Sequence, residues 1–158
     1  MSQVLPSIEE HQHLYAAATY RVMGPDGQRY DLRLGARSAQ PAEPWAIVTA
    51  ANPCSVQLSS ARNALRNRSL EARLRARGLR WGWGDCVPDD RRAARVPVYL
   101  VLGVPVLEAR ALAARAGQVG VLVGGAGAEA RLERGVSYNH AQVAGGYLAG
   151  RFRAGLEQ

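Results

Sequence analysis

Residues 45–53 read WAIVTAANP, and residues 58–78 continue as LSSARNALRNRSLEARLRARG. The first stretch predicts a strand over Trp45–Ala51. Its unbroken apolar character, with no polar alternation, predicts a central strand covered on both faces. Asn52-Pro53 stops it, because Pro supplies no N–H to a ladder and pushes Asn52 away from helical angles. Ser59 or Ser60 then caps a helix running to about Arg77, and Gly78 ends it.

Working outward, Gly24-Pro25-Asp26-Gly27 is turn chemistry between two short strands, Thr19–Met23 and Tyr30–Leu34. That predicts an N-terminal hairpin. Ser7 and Glu10 fit a capping box before a helix over about 8–17. Residues 35–44, GARSAQPAEP, read as a surface loop. On the other side, Leu79–Gly84 reads as a strand and Cys86–Arg95 as a charged loop. Val96–Leu102 and Val119–Val123 read as strands around a helix over about 105–116, which starts near Pro105. Gly124-Gly125-Ala126-Gly127 turns the chain, and residues 129–132 return beside the last strand. A final helix over about 140–155 carries Ala144, Tyr147, Leu148 and Phe152 on or near one face. The middle of the chain thus reads strand–helix–strand–strand–helix–strand. The expected fold is α+β, with a mostly antiparallel sheet, a split βαβ (ferredoxin-like) core, an N-terminal hairpin and flanking terminal helices.

The length, 158 residues, suits one domain spanning 1–158. Apolar residues make up 47%, enough for a sizeable core. No apolar run approaches the ~20 residues of a membrane span, and the N-terminus has no basic-then-apolar leader. The expectation is a cytoplasmic protein. Cys54 and Cys86 are read as free thiols, since neither has metal spacing with His11, His13 or His140. No metal and no cofactor is expected. The net charge is +7, and all 20 basic residues are arginine. Arginine offers planar, bidentate donors for phosphate and carboxylate. The excess permits nucleic-acid affinity without requiring it.

The helix after TAANP carries a polar stripe. At 100° per residue, with Asn63 at 0°, Asn67 falls at about 40°, Leu70 at about −20° and Leu74 at about 20°. Asn63 and Asn67 therefore continue the buried Leu70/Leu74 face toward the turn. Two readings stay open. The amides form a small polar site at a strand end facing a helix start, a place that favours an anionic group. Alternatively, they fasten the turn to the helix through hydrogen bonds, since each buried amide left unpaired costs about 1–3 kcal/mol. Strand alternation starts Thr49 and Asn52 on opposite faces, so a pocket shared by all four polar residues needs the Asn-Pro turn to redirect Asn52.

These residues resemble a bacterial domain-of-unknown-function family, number three-two-nine-three. Its members show a strand ending Thr-Ala-Trp-Asn-Pro, then a Ser-, Asn- and Arg-Asn-Leu-bearing helix, then Gly-Gln before a later strand. Thr49, Ala50, Asn52, Pro53, Ser59, Asn63, Asn67, Leu70 and Gln118 fit, over roughly residues 19–125. Ala51 departs, standing where the family has Trp, which implies a larger or different pocket there. The resemblance brings no activity with it. It singles out Thr49, Asn52, Ser59, Asn63, Asn67 and Gln118 as the candidate ligand-binding set.

Other features are weighed beside it. His11 and His13 lie about 200° apart on a helix and cannot readily share a metal. His140 has no visible partner for general base work. Cys54 follows Pro53 near a helix start, but no partner His identifies a catalytic thiol. GGAG lacks the Lys-Ser/Thr of a phosphate loop. Trp81 and Trp83 share one strand face and, with Arg66, Arg73, Arg77 and Arg80, form an alternative surface for nucleic acid. The C-terminal helix offers a third possibility, a protein-interaction surface. No proton-transfer pair is evident, so no reaction is assigned.

Overall fold

The computed structural model describes residues 8–37, 39–53, 56–125 and 127–135. Their elements are α1 (Ile8–Ala16), β1 (Ala18–Met23), β2 (Arg29–Leu32), β3 (Trp45–Val48), α2 (Ser60–Ala76), β4 (Arg80–Pro88), β5 (Val96–Leu102), α3 (Val106–Arg115), β6 (Gly120–Gly124) and β7 (Arg131–Arg134). The cap at Ser7, Cys54, His140 and the helix expected over 140–155 lie outside the described residues.

All seven strands form one antiparallel sheet in the order β2-β1-β4-β5-β3-β6-β7. The fold is α+β. From β3 the chain crosses through α2 to β4, leaving β5 between them. From β5 it crosses through α3 to β6, leaving β3 between them. Each βαβ unit is split by a strand of the other. The β1–β2 hairpin widens the sheet beyond β4, and β7 widens it beyond β6.

Alternation sorts the side chains into two cores. Ala46, Val48, Tyr99, Val101, Val121 and Val123 face α2 and α3, where Leu70, Leu74, Ala109 and Leu112 meet them. Trp45, Ile47, Val98, Leu100 and Leu122 face the other way and pack with Tyr20, Val22 and Leu32 from the hairpin. The sheet can bury that second face because it curls. Past β2, the Gly35 N–H donates to the Ala130 carbonyl at 2.7 Å, and the Ala130 N–H donates to the Ala36 carbonyl at 2.9 Å. The two ends of the sheet are thereby tied together. Every residue of β3 is buried, as a strand with both faces covered requires.

The curl has a sequence cause in RWGWGDCVP. Gly82 and Gly84 lie on the concave face of β4, opposite Trp81 and Trp83. A Cβ at Gly82 would collide with the Met23 carbonyl oxygen, and one at Gly84 with the Arg21 carbonyl oxygen. Only glycine lets β1 close over β4 this tightly.

Two boundaries correct the sequence reading. β4 runs on to Pro88, through Cys86, where a charged loop was expected. Its pairing with β1 extends from Met23↔Trp83 to Ala18↔Pro88, and that long-range ladder overrides the weak local propensity of Gly, Asp and Pro. β3 ends at Val48 rather than Ala51, because beyond it side chains replace the ladder, as described below.

α1 is anchored by Tyr15, whose hydroxyl donates to the Gly120 carbonyl at 3.2 Å. Burial, followed by the charge of Cys86, pushes its phenol up from 10.0 to about 12. A raised folded value favours the neutral phenol in the folded state. Its contribution is therefore complete below about pH 10 and lost as pH rises through about 12. Stability is expected to fall across that window, and less steeply in Tyr15→Phe. Denaturant titrations at stepped alkaline pH check this; parallel curves for the two proteins would refute it.

Candidate functional site

Beyond Val48 the backbone keeps its hydrogen bonds but changes partners. The Ala50 N–H donates to Asn67 Oδ1 at 2.8 Å, and the Ala50 carbonyl accepts from Arg66 Nε at 2.6 Å. The Ala51 N–H donates to Thr49 Oγ1 at 3.1 Å, and the Ala51 carbonyl accepts from Gln118 Nε2 at 2.9 Å. The Asn52 N–H donates to Asn63 Oδ1 at 2.9 Å. Five successive backbone groups are thus met by five different side chains, so a turn that is largely buried leaves none of them orphaned.

The remaining polar atoms lock the exit of the turn. Asn52 adopts a left-handed φ of 48°, a conformation Asn tolerates better than most residues. Its Oδ1 accepts from the Leu58 N–H at 3.0 Å and from Asn63 Nδ2 at 2.9 Å. Asn63 Nδ2 also reaches the Leu58 carbonyl at 3.4 Å. Ser59 caps α2, its hydroxyl accepting from the Arg62 N–H at 3.2 Å. Thr49 Oγ1 donates to the Pro97 carbonyl on β5 at 2.7 Å.

The candidate set is therefore brought to one turn but not into one shared pocket. Thr49 is directed to β5, Asn52 and Asn63 bind each other, and Asn67 and Gln118 hold opposite ends of Ala50–Ala51. The turn does redirect Asn52 toward α2. Asn67 and Gln118 are 5% and 8% exposed, and each keeps one polar atom, Nδ2 and Oε1 respectively, with no hydrogen bond among the described residues. Ala51, where the resembled family carries Trp, is buried.

Arg66, named in the alternative nucleic-acid set, ties three segments, because its Nη2 also donates to the Ala116 carbonyl at the end of α3, at 2.8 Å. Arg66, Arg73 and Arg77 lie within about 40° of one another around α2. Both ends of this row touch α3: Arg66 through Ala116, and Arg77 through a 2.8 Å ion pair with Glu108. Arg73 lies between them, partly buried, and makes no ion pair among the described residues. Burial first, then the charges of Arg115, Arg66 and Arg77, lower its proton affinity. Arg115, which sequence reasoning did not single out, is the last residue of α3 and brings a further cation to this seam.

The rest of the alternative nucleic-acid set is dispersed. Arg80 pairs with Glu43. Trp81 is partly buried, edge-on to Tyr99 at 5.4 Å, with the Arg75 guanidinium 5.9 Å over its ring. Trp83 is 69% exposed. Arg66, Arg73 and Arg77 thus line the α2–α3 seam, whereas Trp83 and Arg80 belong to β4. Among the described residues no group of three His, Cys, Asp or Glu side chains could hold a metal ion. No helix among them is long and apolar enough to cross a membrane.

The family model described as a protein of unknown function (DUF3293) matches residues 48–121, from the last residue of β3 into β6. No curated protein and no solved structure matches the chain. The matched segment holds the turn, both helices of the seam and all the side chains that secure them, and over it the chain is similar to the DUF3293 family.

Proposed function

We propose that the chain binds a small anionic ligand, phosphate- or carboxylate-bearing, in the seam between α2 and α3. Arg73 and Arg115 supply the charge. Asn67 Nδ2 and Gln118 Oε1, at the end of the seam nearest the turn, supply a donor and an acceptor to the ligand's polar remainder. The observation that carries the reading is Arg73, a partly buried guanidinium set among three others with no carboxylate on it among the described residues. Like charges so arranged repel, and an anion converts the repulsion into attraction. The other candidates have spent their polar atoms on the turn. Ser59, Asn63, Asn52 and Thr49 act here as scaffold, positioning the two amides.

Calorimetric titration with inorganic pyrophosphate tests this. The wild type is expected to bind, and Arg73→Gln to lose roughly tenfold or more in affinity, the scale of one charged hydrogen bond. Without ligand, Arg73→Gln should be as stable as wild type or more so, because it removes a repelled cation. No heat at millimolar pyrophosphate, or equal affinity in the variant, would refute the reading.

A further inference from the structure

Among the described residues, the helix-bearing side of the sheet is only partly covered. α2 and α3 lie over β3, β5, β6 and the start of β4, and no described helix lies over the strip formed by β1 and the rest of β4. Trp83 stands there, 69% exposed, in register with Met23, which is 43% exposed. Further along the same strip, Thr19, Arg21 and Val87 open into a groove of about 560 Å³ whose far wall is Arg91 and Arg95. Arg21 is paired with Asp31, and Asp89 with Arg33. Arg91 and Arg95 have no carboxylate partner among the described residues. Asp85 shares the face between Trp83 and Val87, so cationic attraction concentrates on the Arg91/Arg95 side of the groove.

An exposed indole on the convex face of β4, followed by a groove ending in two guanidinium groups with no carboxylate partner among the described residues, offers a stacking surface and an anion path in series. We infer that single-stranded nucleic acid lies along β1 and β4, with one base stacked on Trp83 and backbone phosphates held by Arg91 and Arg95. Stacking on an aromatic ring accepts any base, and guanidinium groups hold phosphates without reading sequence, so the binding is sequence-tolerant. This surface is separate from the α2–α3 seam and does not depend on it.

The test is fluorescence anisotropy of labelled oligo(dT) and oligo(U) of about 12 nucleotides, titrated with the full chain at several salt concentrations. Binding of either is expected at low salt; a preference for oligo(U) would identify RNA as the ligand, and equal binding would identify both. Trp83→Ala should weaken binding roughly tenfold or more, with Trp83→Tyr restoring part of it. Trp83 is exposed, so neither change should disturb folding, and circular dichroism confirms that. Arg91→Gln/Arg95→Gln should lower the slope of log affinity against log salt by about 1.4, two phosphate contacts' worth. Arg73→Gln should leave oligonucleotide affinity unchanged, and Trp83→Ala should leave pyrophosphate affinity unchanged. Absence of oligonucleotide binding at low salt would overturn the inference, as would wild-type affinity in Trp83→Ala or loss of binding in Arg73→Gln alone. Trp83 shielded from a soluble quencher in the free chain would do so too, because another occupant, residues 136–158 or a second copy, would then hold the face.

Discussion

Gly82→Ala is expected to cost roughly 3–5 kcal/mol, at the upper end for a single substitution, although it adds one methyl group. The added carbon would occupy the position of the Met23 carbonyl oxygen, and a backbone atom in a paired strand cannot rotate away as a side-chain tip can. Relief requires β1 to lift from β4. That opens the curl and exposes the packing of Tyr20, Val22 and Leu32 on Leu100. Gly27→Ala is the control. Gly27 has a φ of 85°, yet a Cβ there meets nothing within 4 Å, so only backbone strain of about 1 kcal/mol is expected. Denaturant unfolding of the two variants separates clash from strain. Equal losses would mean that the β1–β4 approach is not what fixes the curl.

Asn63→Ala/Asn67→Ala is expected to lose more than about 3 kcal/mol. Asn67 is the acceptor for the Ala50 N–H and Asn63 for the Asn52 N–H, and a buried donor stripped of its acceptor costs about 1–3 kcal/mol. Asn63 also closes on the Asn52 side chain, so the two changes act on one turn and their effects should not be additive. Ser59→Ala, which removes only the α2 cap, should cost about 1 kcal/mol. A double variant within that smaller range would show that the turn holds without its amides, leaving them available wholly to a ligand.

What could be read in the sequence was local. β3, the β1–β2 hairpin, α2 with its Ser59 cap and the Asn63/Asn67 stripe each follow from spacing within a dozen residues. The second half of β4 escaped because DCVP has no apolar alternation, and its pairing with β1, between sixty and seventy positions earlier, and with β5 makes it a strand. The overlong β3 has the converse cause. Ala50 and Ala51 continue the apolar run, but their backbone partners come from Asn67, Arg66, Thr49 and Gln118, and no periodicity announces a ladder taken over by side chains. The ties of Arg66 are hidden for the same reason, since a guanidinium bonded to two carbonyls looks in sequence like any other surface charge. The match of residues 48–121 to one family is physically sensible, because that segment contains the turn and nearly every group that secures it.

The tie between Gly35, Ala36 and Ala130 has a consequence for the protein in a crowded solution. A seven-stranded open sheet would present two long rows of unpaired amides to any passing chain, the usual seed of edge-to-edge aggregation. Here the border strands are four residues each, RYDL and RLER, studded with charge. The backbone just outside them is spent on a neighbour across the curl. What is left at either border is too short and too charged to template a foreign strand, so the bend that buries the second core also protects the chain from its own copies.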